Sequence, residues 1–277
     1  MANGLRTAGL MALLMVLFVL IGNALGGQTG MIIALGLALV MNFGSYWFSD
    51  KIVLRMYRAT EVSREEAPEL YDMVDRLRRR AELPMPRLYV IPSEQPNAFA
   101  TGRNPEHAVV AVTNGIVRIL DRDQLEGVIS HELAHVKNRD ILTSSIAAAI
   151  ATGITVVARF GLFFGNRDRG GAIGSLLLLI LAPIAAMMIQ MAISRTREFS
   201  ADRDGAEICG KPASLAGALE RLESAAGRVA MDASPGTAHM FIVNPFTGRM
   251  SGIARLFSTH PPTGERIARL MEMARSG

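Results

Sequence analysis

Apolar residues gather in four long blocks, and the segments between them switch between helical and strand-like periods. Ala8 to Leu25, Met31 to Phe48 and Ile173 to Ile193 hold no charged side chain, and Ile141 to Phe164 holds one, Arg159. Each block is about 18 residues or longer, enough as helix to cross a hydrocarbon core of about 30 Å. The pattern predicts about four transmembrane or membrane-embedded helices. The third block is the most diluted, by Thr143, Ser144, Ser145 and Arg159. The first, preceded by Arg6 and ending in Ala24-Leu25-Gly26, also has the layout of a secretory leader. A second uncharged block after only Gly26–Gly30 favours a tight helical hairpin over a cleaved leader.

Shorter patterns fill the rest. Leu70, Met73, Val74 and Leu77 recur at three and four residues, so Ala67 to Arg80 reads as an amphipathic helix with Pro68 in its first turn. Arg76 and Arg78 to Arg80 are its solvated side and basic end. Leu88–Ile91, Asn97–Gly102 and Ala108–Val112 read as strands of a small sheet of three or four, with a turn at Gly102–Pro105. Ile116–Leu120 is helical and leads to a longer helix whose apolar stripe begins at Leu125, Val128 and Ile129. Asp123 with Glu126 reads as the cap of that helix and its reciprocal partner. Beyond the fourth block, Thr196–Cys209 and Pro212–Val229 are helices separated near Gly210, and Met231–Pro245 is irregular. Gly252–Phe257 and Pro262–Ala274 close the chain as short helices. The organisation expected is an N-terminal transmembrane hairpin over 1–50, a cytoplasmic domain in two parts over 51–140 and 194–277, and a membrane hairpin inserted between them over 141–193.

A composition that is 50% hydrophobic fits an integral membrane protein with a polar domain of modest size. Basic residues flank the blocks at Lys51, Arg55 and Arg58, at Lys137 and Arg139, and at Arg195, Arg197 and Arg203. The positive-inside rule puts these flanks and both termini in the cytoplasm. Gly165–Ala172, with Arg167, Asp168 and Arg169, then lies outside as a small exception. The net charge of +4 is spread through mixed-sign segments without a basic stripe, so no nucleic-acid partner is expected. Cys209 is the single cysteine, which excludes an internal disulfide and agrees with a reducing compartment.

The chemistry is carried by His131-Glu132-Leu133-Ala134-His135, which uses two of the five histidines. On a helix this spacing puts both imidazoles on one face, within reach of one zinc ion, with Glu132 placed to take a proton from the metal's water. A hydrolytic zinc takes three protein ligands and keeps a fourth position open. None of His107, His239 and His260 has the Gly-containing spacing that extends the motif to a third histidine. Glu198 and Asp202 stand at i and i+4 in Arg197-Glu198-Phe199-Ser200-Ala201-Asp202. Glu198 fits as a ligand and Asp202 as the partner of a ligand imidazole; a surface of alternating charges fits the same residues. A shared ligand set requires Glu198 to lie on the same side as the histidines, so the blocks between them cross the membrane zero or two times. His135 is six residues from Ile141 and Glu198 five residues after Ile193, which puts both within about 10 Å of the membrane boundary.

Four motifs together are similar to the HtpX heat-shock membrane proteases: His-Glu-Leu-Ala-His at 131–135, Arg-Glu-Phe-Ser-Ala-Asp at 197–202, Asn-Ala-Phe-Ala-Thr-Gly at 97–102 and Ser-Thr-His-Pro-Pro at 258–262. The resemblance spans nearly the whole chain, including the four apolar blocks. It implies a zinc endopeptidase related to the CAAX prenyl proteases: an α-helical membrane protein carrying an α+β zincin-like domain of the gluzincin type. It implies one Zn2+ per chain held by His131, His135 and Glu198, Glu132 as general base, Asp202 behind a ligand, and His260 near the metal. Phe199 departs from the pattern, standing where Tyr is common.

The expected mechanism follows. Zinc brings the pKa of its water to about 7, Glu132 accepts the proton during attack on a peptide carbonyl, and His260 is a candidate oxyanion donor or a turn residue before two prolines. Asn97, Ala98 and Phe99 are candidates for pairing an extended substrate along an edge strand, or plain sheet structure. Substrates are expected to be membrane proteins or unfolded polypeptides met at the cytoplasmic face of a bacterial inner membrane, in stress response and quality control. The rival readings are a prenyl-protein processing protease and a catalytically inactive membrane scaffold.

Overall fold

The computed structural model describes residues 2–146, 195–226, 240–243 and 261–276. Helix α1 (Ala2–Met56) is two antiparallel arms joined at Gly27, whose φ of +58° lets the backbone reverse. The reversal brings Asn42 Nδ2 to the carbonyl of Met11, 31 residues back, at 3.1 Å. It also packs Gly22 on Gly30 so tightly that a Cβ on Gly30 would stand 2.2 Å from the Gly22 carbonyl oxygen. The chain thus reverses within Gly26–Gly30. The second arm, Gly27–Met56, is 30 residues and apolar enough to cross a membrane; Thr7–Leu20 on the first arm is a shorter apolar stretch. Ile32, Ile33, Val40 and Phe43 on the second arm are exposed, as side chains facing lipid would be. The third and fourth apolar blocks lie outside the described residues beyond 146.

Three strands lie where expected, β2 (Arg87–Ile91), β3 (Ala98–Thr101) and β4 (Val109–Thr113), and a two-residue strand that the sequence pattern did not indicate, β1 (Thr60–Glu61), precedes them. Their order is β1-β2-β4-β3, with β2 and β4 parallel and the outer pairs antiparallel. Helix α2 (Pro68–Arg80) lies between β1 and β2, and α3 (Asn114–Ile119) and α4 (Arg122–Lys137) follow β4; after the undescribed stretch come α5 (Arg195–Cys209), α6 (Pro212–Ala226) and α7 (Thr263–Ser276). Gly210, at φ +72°, ends α5 in the left-handed conformation that glycine adopts without penalty. The carbonyls of Ile208 and Cys209 accept from Arg80, so the basic end of α2 closes the C-terminus of α5 as well as meeting solvent.

The cap of α4 lies two residues upstream of the expected one. Asp121 accepts from the Gln124 amide at 2.9 Å, and Gln124 Oε1 accepts from the Asp121 amide at 3.3 Å. Asp121-x-x-Gln124 and Asp123-x-x-Glu126 satisfy the same spacing rule, and the chain uses the first. Asp123 and the buried Glu126 instead bind the Lys211 ammonium, at 2.6 and 3.2 Å.

The sheet is covered on both faces. On one, Leu88, Ala98, Ala100, Val110 and Val112 pack with residues of α2, α4, α5, α6 and α7 into the main core. On the other, Ile91, Phe99, Val109 and Ala111 pack against Val53 and Leu54 of α1, with Met240 and Tyr57. The Tyr57 and Phe99 rings lie 5.6 Å apart. The end of α1 is thus part of the domain that carries the histidines.

Candidate metal centre

Helix α4 carries His131, Glu132 and His135 with the i, i+4 geometry expected, and α5 lies across it. Contact at the crossing is backbone to backbone. A Cβ at Gly205 would stand 2.8 Å from both Cα and N of His131. That approach lets Glu198, two turns back on α5, reach both imidazoles. Gly205→Ala is expected to force the helices apart and to lower the thermal midpoint by about 2–10 °C, since overpacking costs about 1–3 kcal/mol. Thermal unfolding of the full chain checks it, and an unchanged midpoint would mean that the crossing tolerates a methyl group.

One ligand atom each from His131, His135 and Glu198 come within 4.8 Å of one another, a group that could hold a metal ion. His131 Nε2 and His135 Nε2 are 3.2 Å apart, and the Glu198 oxygens lie 3.8 and 3.7 Å from them. Each imidazole turns its other nitrogen to a carboxylate. His131 Nδ1 is 3.0 Å from Asp202 Oδ1, and His135 Nδ1 is 3.2 Å from Asp140 Oδ2. A carboxylate only accepts, so each Nδ1 carries a proton, and in the neutral imidazole each Nε2 then presents a lone pair. Two lone pairs and two anionic oxygens therefore converge on one point in a buried site, an arrangement that a cation between them satisfies. The donor set of two imidazoles and a carboxylate fits zinc.

The surroundings fix these groups. Arg266, 1% exposed, donates from Nε and Nη2 to both oxygens of Asp202, each at 2.7 Å, and from Nη1 to the Ile242 carbonyl at 2.8 Å. Burial works against the charge on Asp202, but Arg266 and His131 outweigh it and hold the carboxyl well below the usual carboxylate range. For His135, burial disfavours the charged form, yet Asp140, Glu198 and Glu132 prevail and its pKa lies above the ordinary value. Glu132 is 5% exposed and its Oε2 accepts from the Ala100 amide of β3 at 2.8 Å. Burial pushes its carboxyl up from the ordinary value, against the pull of both histidines and of that amide.

The cleft is lined by His131, Glu132, His135 and Glu198 together with Phe99, Ala100, Asp140, Ile141, Ser144, Arg197 and the segment Met240–Ile242. Among the described residues β3 is an outer strand of the sheet, and all four of its residues are buried. Phe99 lines the cleft and Ala98 packs in the core behind it. Asn97 is spent on structure: its carboxamide donates to the Met240 carbonyl at 3.2 Å and accepts from the Ile242 amide at 3.4 Å. His260 lies outside the described residues. Sequence reasoning missed Asp140, Arg197 and Arg266. The available signal for Arg266 was its place four residues before the buried Leu270 on α7, an arginine in the apolar stripe.

What α4 and α5 build is the centre of a metallopeptidase, and the apolar helix packed on the same domain makes the protein membrane-associated. The chain belongs to Peptidase family M48, whose profile it matches over residues 64–274. It is 64% identical over 272 residues to the protease HtpX homolog of Salinibacter ruber, covering 98% of each chain. It is 60% identical over 282 residues to the protease HtpX homolog of Persephonella marina, covering 98% of this chain and 97% of that one. In fold it is similar to the crystal structure of S. mikatae Ste24p, with a TM-score of 0.54 at 20% identity over 94% of this chain. It spans 62% of that protein's length, and the likeness is one of fold alone. The prenyl-processing and inactive-scaffold readings are not favoured by these relatives.

Proposed function

We propose that this chain is a zinc endopeptidase that cleaves membrane or misfolded polypeptides at the cytoplasmic surface of a bacterial inner membrane, in membrane protein quality control. The convergence of His131, His135 and Glu198 beside a buried, hydrogen-bonded Glu132 carries the reading. The three residues would hold one zinc per chain, as in a gluzincin, and the ion would polarise the scissile carbonyl and lower the pKa of a bound water. Glu132 accepts the proton of the attacking water and delivers it to the leaving amine. Its raised pKa moves it toward the range where both transfers run at neutral pH. Asp202 keeps the His131 proton on Nδ1 and so its lone pair on Nε2.

Substrate lies extended along β3. The Thr113 amide donates to the Asn97 carbonyl at 2.9 Å, so residues 97, 99 and 101 turn their backbone groups toward β4. Ala98 and Ala100 turn theirs away, and the Ala100 amide is already given to Glu132. Ala98, whose backbone groups also turn away from β4, packs in the core behind the cleft, and Phe99 is the wall of the cleft that an extended substrate would meet. His260 completes the site as a second oxyanion donor. Residues 1–50 form a transmembrane hairpin and 141–193 a second membrane hairpin, with both termini and the two parts of the protease domain, 51–140 and 194–277, in the cytoplasm. The basic flanks and the site's nearness to the apolar blocks support this placement.

Metal removal tests the reading. Purified full-length protein in detergent is expected to carry about one zinc per chain and to cleave casein, an unfolded protein. Chelation should abolish cleavage and added zinc restore it. Cleavage that survives complete removal of metal would overturn the proposal.

A further inference from the structure

His131 and His135 are held by the same construction, an imidazole on an aspartate on an arginine. For His131 the pair is Asp202 and Arg266. For His135 it is Asp140, 2% exposed, and Arg197, 9% exposed. Asp140 Oδ2 faces His135 Nδ1 at 3.2 Å and its Oδ1 faces Arg197 Nε, also at 3.2 Å. Arg197 in turn donates from Nη2 to Ser144 Oγ at 3.1 Å. We propose that Asp140 and Arg197 are positioning residues that fix His135 for metal binding and anchor it to the start of the helix at 141–146. The proposal rests on the reading of His135 as a zinc ligand.

Three observations carry it. Arg197 directly precedes Glu198 on α5, so one turn of that helix supplies both the carboxylate of the metal group and the clamp on the other imidazole's carboxylate. The geometry requires an arginine, because its fork reaches Asp140 through Nε and Ser144 through Nη2, which a lysine ammonium at one point does not reproduce. The anchoring helix is itself tied down by hydroxyls two residues apart. Thr143 Oγ1 is 2.9 Å from Thr7 Oγ1 on the first arm of α1, and Ser145 Oγ is 2.7 Å from Thr101 Oγ1 on β3. The polar residues that dilute the third apolar block thus join the membrane hairpin, the edge strand and His135.

The bland alternative is that Asp140 is simply the N-cap of the helix that follows it. Substitutions that cap equally well separate the two roles, because Ser and Asn are as good as Asp at that position. Zinc affinity of the full-length protein is measured by competition with a chromophoric chelator, and the thermal midpoint of the metal-free protein is measured beside it. Asp140→Ser is expected to weaken zinc binding by about 10–100-fold while the metal-free midpoint stays within a few degrees of wild type. Arg197→Lys should weaken binding in the same direction by a smaller factor. Wild-type affinity in Asp140→Ser would overturn the relay and leave a cap. If Asp140→Ser lowers the metal-free midpoint substantially, Asp140→Asn decides, being isosteric: weakened binding supports the relay and unchanged binding refutes it. A His135→Ala variant with undiminished zinc affinity would instead refute the ligand assignment itself.

Discussion

Glu132→Gln is expected to keep its zinc and to lose peptidase activity by a factor of about 10²–10⁴, the usual worth of a general base. The structure makes this substitution close to silent in every other respect. Glutamine has the same shape, and its carbonyl oxygen can still accept from the Ala100 amide as Glu132 Oε2 does. Glu132 is not among the three residues that converge as a metal group. What the amide cannot do is take up a proton. Burial, which raises the Glu132 pKa, would for an amide be a relief, since no charge remains to desolvate. The variant should therefore fold, load metal and bind substrate. Metal analysis and single-turnover cleavage check it; activity within about tenfold of wild type, far less than loss of a general base should cost, would remove Glu132 from proton transfer.

Glu198→Ala carries the other large effect, and its sign depends on the metal. With zinc, the loss of a direct ligand should cost more than the ~10–100-fold typical of losing a partner behind one. Without zinc, the variant removes a buried carboxylate from a point where two imidazole lone pairs already meet at 3.2 Å. The metal-free protein should then be as stable as wild type or more so. Thermal midpoints with and without zinc test both halves, because a ligand that binds the folded state alone raises the midpoint with its concentration. A zinc-dependent rise in Glu198→Ala equal to that of wild type would exclude Glu198 from the site.

Much of this was legible in the sequence because it is local or periodic. His131 and His135 are one helical turn apart, and so are Glu198 and Asp202; each pair needs only the 3.6-residue period to be placed on one face. The Gly26–Gly30 reversal and all three longer strands likewise lie within short windows. What stayed hidden depends on residues far apart in the chain. Asp202 and Arg266 are separated by 64 positions, and Asn97 and Met240 by 143. Nothing local distinguishes Asn97 as a strut for a distant backbone from Asn97 as a contact for substrate. The α4 cap escapes sequence reading for a different reason: two overlapping signatures are both valid, and their register is settled by where Glu126 is buried against Lys211.

The packing of α1 on the back of the sheet bears on what lipid can do to this enzyme. Val53, Leu54 and Tyr57 belong to the same cluster as Phe99, with no flexible linker between the apolar arm and the strand beside Glu132. A helix whose apolar length exceeds the local hydrocarbon thickness adjusts by tilting. With that packing, a tilt of α1 is expected to be felt at β3, and cleavage rates compared in bilayers of different thickness would check it.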